Sequence, residues 1–151
     1  MKKFLVIIAA LFLLTSCANK ETTEFQKLYK VEAPEVKDMT YQELLTLTES
    51  KTGVVFIGED SKDAKELAQV FCDNLCECGV NNAYFVHKNQ VTDSQLLEIF
   101  EVKALNYPVI AAYRKGELVG YYDSKTETGA LDKYIYDLIM ETEPAVCSEA
   151  C

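Results

Sequence analysis

The segment from Val54 to Gly79, VVFIGEDSKDAKELAQVFCDNLCECG, constrains the fold more than any other part of this chain. Val54 to Ile57 is a continuous apolar run, the pattern of a strand buried on both faces. Asp60 or Ser61 is placed to cap a helix. The apolar positions of that helix, Ala64, Leu67, Ala68, Phe71 and Leu75, recur at helical spacing, and Gly79 is its expected stop. A doubly buried strand running into an amphipathic helix is the signature of an α/β architecture.

The flanking segments extend this pattern. Thr40-Tyr41-Gln42-Glu43 has capping-box spacing, so a helix is predicted from Tyr41 to about Lys51, with Gly53 just past its end. Ala83 to Val86 is a second short apolar strand. Asp93 is expected to cap a brief helix carrying Leu96, Leu97 and Phe100. YPVIAAYRKGELVGYY reads as strand, Lys-Gly turn and strand, the clearest hairpin in the chain. Leu131, Tyr134, Ile135, Leu138 and Ile139 mark one face of a last helix, and no internal repeat is visible.

The N-terminus, MKKFLVIIAALFLLTSCANKE, has two lysines followed by an apolar run from Phe4 to Leu14. That run is too short for a comfortable membrane span, and the arrangement is that of a secretory signal peptide. Leu14-Thr15-Ser16-Cys17 resembles the lipobox of bacterial lipoproteins. The resemblance implies cleavage before Cys17 and acylation of its thiol and amine, which would hold the chain stably to a membrane. The expected organisation is a signal peptide over 1–16, a polar tether over 17–35, a folded domain over 36–141 and a Cys-containing tail over 142–151. Phe25, Leu28 and Tyr29 within the tether suggest a short helix that docks them. The chain carries a formal charge of −9, and loss of Lys2 and Lys3 lowers it by two more. Such acidity disfavours nucleic acid as a partner.

The order of elements, together with NYPVIAAYRKGELVG, resembles the thioredoxin superfamily over roughly Val36 to Met140. That implies a central mixed β-sheet flanked by helices on both faces, and a cis peptide bond at Tyr107-Pro108. TGVVFIG and the helix after it are also similar to the bacteriocin transport accessory proteins. In the superfamily a Cys-x-x-Cys pair begins the second helix, where N–H groups and the helix dipole favour a thiolate. Here those positions are Ser61 and Ala64. Lys65 falls where the family often has Lys, and Val55 replaces the buried acid of many thioredoxins. Ser61 is therefore read as a helix cap, with no catalytic residue at the usual site. The lone histidine, His87, lies at the end of a later strand.

Cys72, Cys76 and Cys78 fall on the last turns of the second helix, and Cys147 and Cys151 follow the last one. In a thioredoxin-like fold both helices run away from the active-site pole, so the five thiols are expected to converge at the opposite pole. Disulfide staples are the leading reading. A bridge between the groups would close some 70 residues, worth about 4 kcal/mol in the chain-entropy model. Two alternatives stay open: a zinc site built from the four- and two-residue spacings, and a strained Cys76–Cys78 redox pair.

No cofactor and no metal are expected. The functional expectation is a lipid-anchored extracytoplasmic module of a bacterial envelope, redox-inactive at the usual site. It would bind an extended protein or peptide through Tyr107, Pro108, Tyr113 and the loop Glu59–Asp63. The alternative is a thiol–disulfide oxidoreductase working through Cys72, Cys76 and Cys78.

Overall fold

The computed structural model describes residues 22–32 and 36–142. The expected signal peptide, Cys17, Cys147 and Cys151 lie outside the described residues. No described helix is long and apolar enough to cross a membrane.

The elements are α1 (Glu24–Tyr29), β1 (Val36–Asp38), α2 (Tyr41–Ser50), β2 (Gly53–Gly58), α3 (Lys62–Cys78), β3 (Ala83–His87), a 3-10 turn (Lys88–Gln90), α4 (Asp93–Phe100), β4 (Val109–Arg114), β5 (Glu117–Asp123) and α5 (Leu131–Met140). The five described strands form one mixed sheet in the order β1-β3-β2-β4-β5. β1 and β2 run parallel to β3, while β4 is antiparallel to both β2 and β5.

The central strand explains the two layers. All six residues of β2 are buried. Val54 and Phe56 point into a core shared with α1, α3 and α5, whereas Val55 and Ile57 point into the core of α2 and α4. Alternation along a pleated strand turns a continuous apolar run into two half-cores. Val55 is fully buried among apolar neighbours, so this position supplies packing.

The expected short helix in 17–35 is present and belongs to the core. Phe25 is fully buried, with its ring edge-on to Phe56, Phe71 and Phe85 at centroid distances of 5.3, 6.2 and 5.3 Å. Thr23 caps α1 through a complete capping box with Gln26.

Three local expectations are corrected. α2 ends at Lys51 in extended conformation, without a left-handed glycine. Gly53 instead opens β2, where a Cβ would stand 2.8 Å from the Tyr84 ring and 2.9 Å from the Asn82 carbonyl. α4 is capped by Thr92, whose box with Gln95 leaves Asp93 as the first helical residue. Tyr113 lies at the far end of β4, opposite Gly53, and is 1 % exposed in the α2/α4 core. It therefore cannot face the same groove as Tyr107. The Lys-Gly turn is as expected: Lys115 and Gly116 both have positive φ, the geometry of a tight hairpin turn.

Candidate functional site

The parallel strands β2 and β3 end together, Gly58 opposite His87, and antiparallel β4 begins beside them with Val109 opposite Ile57. One pole of the sheet thus gathers the turn after β2, the start of α3, and the Tyr107-Pro108 bond, which is cis.

Ser61 caps α3. Its Oγ accepts the N–H of Ala64 at 3.1 Å, which satisfies one of the four free donors of the first turn. The two positions where a Cys-x-x-Cys pair would stand are therefore bonded to each other as cap and capped residue. Lys65 pairs with Asp60 at 2.8 Å, holding the Asp60 carboxyl below its ordinary range. The turn is also held from the N-terminal side, because Tyr29 donates its hydroxyl to the Glu59 carbonyl at 3.1 Å.

The opposite wall is held by a carboxylate that the sequence reading missed. Asp123, at the end of β5, accepts from the backbone N–H and side-chain amide of Asn106 at 3.2 and 3.0 Å. It also accepts from the Thr126 hydroxyl at 3.0 Å and the Lys125 N–H at 3.1 Å. Burial pushes the Asp123 carboxyl upward, but these hydrogen bonds outweigh burial and leave it below its ordinary range. Asn106 and Tyr107 are thereby fixed just before Pro108. The Tyr107 N–H and C=O take no hydrogen bond among the described residues.

The Tyr107 side chain is tied down as well. Its hydroxyl donates to Asp93 at 3.0 Å, Lys88 reaches the same carboxylate oxygen at 2.9 Å, and the Lys88 ammonium lies 4.6 Å from the Tyr107 ring centre. Hydrogen bonds from Lys88 and Tyr107 hold Asp93 low, while burial and then Asp93 raise the Tyr107 phenol. Such an arrangement keeps the phenol protonated and the ring parked across the pole. His87 stands at this pole too, with Nδ1 accepting from the Asn89 N–H at 3.2 Å.

Between these walls a cavity of about 180 Å³ lies beside Pro108, lined by Asp63, Glu66, Leu67, Tyr122, Ser124 and Leu131. Among the described residues its lining holds two carboxylates and no cation.

The cysteines sit elsewhere. α3 has 17 residues, and Cys72 lies ten residues beyond Lys62, about 15 Å along the axis at 1.5 Å per residue. Cys72 is buried with a free thiol, pushed up to about 12 by burial and by Asp73. Cys78 is fully buried on the last turn, just before the left-handed cap Gly79. Cys76 is disulfide-bonded. The described end of α5 reaches the same far pole, where Arg114 contacts Glu141.

No protein-family model matches the chain, and no curated protein matches it. Among solved structures it is similar to the thioredoxin of Malassezia sympodialis, Mala s 13. The TM-score is 0.55 and the identity 14%, covering 74% of this chain and 94% of that one. A mutant thioredoxin from Halobacterium salinarum gives a TM-score of 0.52 at 17% identity, covering 75% and 96%. The fold is thioredoxin-like.

Proposed function

We propose that this chain is a lipid-anchored, extracytoplasmic accessory module of a bacterial envelope, which binds extended polypeptide beside Pro108 and performs no thiol chemistry at the usual site. The observation that carries this reading is the Ser61–Ala64 cap. Where a thiol pair would exchange, a hydroxyl is committed to the helix N-terminus, and Ser cannot form a disulfide. The rest of the groove persists: a cis-proline, a Tyr107 backbone unpaired among the described residues, and a loop braced by Asp123. An unpaired N–H and C=O in an extended segment are what strand-like pairing with a peptide requires.

Anchoring rests on the lipobox-like Leu14-Thr15-Ser16-Cys17 and the apolar run before it. The TGVVFIG strand and the helix that follows favour an accessory role like that of the bacteriocin transport accessory proteins. Cys147 and Cys151 remain the staple partners proposed for the far end of α3.

Insulin reduction by the purified chain tests the central point. The expected result is no turnover above the dithiol background. Turnover that disappears in Cys76→Ser would establish the alternative, an oxidoreductase using the displaced cysteines. Membrane fractionation and intact mass test the anchor: Cys17→Ser should give a soluble or uncleaved form without the mass of acyl chains.

A further inference from the structure

We propose that the pole carrying the Pro108 groove faces the membrane, and that the groove receives a basic, extended juxtamembrane segment of a membrane protein. The inference rests on the anchored binding-module reading above and adds the orientation and the occupant.

The orientation follows from where α1 is fastened. Its first N–H, on Glu24, bonds both carboxylate oxygens of Asp38 at 2.9 and 3.1 Å. Its last residue, Tyr29, bonds the Glu59 carbonyl. Asp38 ends β1 and Glu59 follows β2, and these strands flank β3 in parallel. Both fastenings therefore belong to the pole at which β4 begins. With Phe25 and Tyr29 buried, α1 moves with the domain, and the tether begins ahead of Thr23.

Seven positions separate Cys17 from Glu24, a reach of at most about 25 Å when fully extended. α3 alone, running from the groove pole to the far pole, is about 25 Å long at 1.5 Å per residue. Turning the far pole to the bilayer would consume the entire tether along the flank of the domain. A tether leaving from the groove pole instead holds that pole near the lipid surface.

Charge selects the occupant. Asp63 and Glu66 line the cavity, and Glu59 and Asp60 stand on the adjoining turn. Lys62 and Lys65 are spent on Glu66 and Asp60. The resulting acidic surplus repels anionic headgroups, which keeps the groove from lying flat on lipid, and it attracts a cationic chain. Tyr107 supplies the backbone donor and acceptor for an extended partner.

The chain contains no tryptophan, so Asn89→Trp at the groove pole and Glu117→Trp at the far hairpin each introduce a single reporter. The lipidated full chain is placed on phosphatidylethanolamine–phosphatidylglycerol vesicles containing a headgroup-nitroxide lipid. Asn89→Trp should be quenched severalfold more than Glu117→Trp, and equal or reversed quenching overturns the orientation. On nitroxide-free vesicles, a labelled Lys-rich nonapeptide should bind about tenfold tighter than its Glu-rich counterpart, with the preference lost in Asp63→Asn/Glu66→Gln. Equal binding of the two peptides overturns the basic occupant. Failure of both to bind while the quenching asymmetry holds overturns the groove reading itself and leaves the orientation supported.

Discussion

The Tyr29 hydroxyl donates to the carbonyl of Glu59, so a residue N-terminal to the first strand holds the turn where a thioredoxin-like fold keeps its chemistry. The approach is close enough to dictate the residue beside it. A Cβ on Gly58 would stand 2.6 Å from the Tyr29 oxygen and 2.8 Å from the Phe56 ring. The phenol is buried, and that burial, then Asp60 and Glu59, raise its pKa, so it stays a donor throughout the physiological range.

Gly58→Ala should therefore destabilise the domain by about 1–3 kcal/mol, the usual cost of overpacking a tight site. Tyr29→Phe alone should cost about 1 kcal/mol, the net worth of one hydrogen bond. Adding Tyr29→Phe to Gly58→Ala should recover only part of the loss, because the Phe56 clash remains. Urea midpoints of the four proteins measure this coupling. Strict additivity would show that Tyr29 and Gly58 are not in contact.

Asp123 sets the acid sensitivity of the cis-proline loop. Its folded pKa is depressed, so its contribution is fully present above the unfolded value. That contribution is lost as pH falls from about 4 through the lower folded value. Asp123→Asn places an amide among four N–H and O–H donors, and should cost about 2–3 kcal/mol at pH 7. It should also flatten the acid limb of stability below about pH 4. Urea melts across that range check both, and an unchanged acid limb would assign the sensitivity to other carboxylates.

The layered fold was legible because β2 is apolar throughout and α3 is periodic, and these two signals fix which faces are buried. Capping boxes were legible only where the hydroxyl is read before the acid. Thr40 and Glu43 mark the start of α2, whereas Asp93 hid the true cap, Thr92. That one-residue shift concealed part of the site, since it frees the Asp93 carboxylate for Tyr107 and Lys88. Asp123 was illegible for a different reason: nothing local marks a carboxylate whose main partner, Asn106, lies 17 residues earlier. Tyr113 shows that a place on the groove strand is not a place at the groove. Five residues along β4 carry it about 17 Å from Pro108.

Tyr113 carries a second consequence. Its hydroxyl is buried in the α2/α4 core and finds no hydrogen-bond partner among the described residues. An unpartnered hydroxyl in apolar surroundings carries a desolvation cost of about 1–3 kcal/mol. Tyr113→Phe keeps the ring against Phe100 and removes that cost. Thermal and urea unfolding should show a gain of about 1 kcal/mol. A loss of stability would mean that the hydroxyl is satisfied by ordered water.

Cys72 distinguishes a staple-bearing scaffold from a working oxidoreductase. It lies on the core face of α3, 3 % exposed, and its thiol is pushed up to about 12, first by burial and then by Asp73. Nucleophilic exchange proceeds through the thiolate, and at pH 8 a thiol with that pKa is ionised only in about one molecule in ten thousand. Access adds a second barrier, because an electrophile of any size must open the packing between α3 and the sheet. Native protein treated with iodoacetamide at pH 8 should therefore leave Cys72 unmodified by peptide mass mapping, with full alkylation appearing only above the urea midpoint. Asp73→Asn should not change this, since burial is the larger cause. Rapid alkylation of Cys72 in the folded protein would show that α3 opens near its middle. The displaced cysteines would then be accessible for exchange, and the binding-module reading would yield to the redox one.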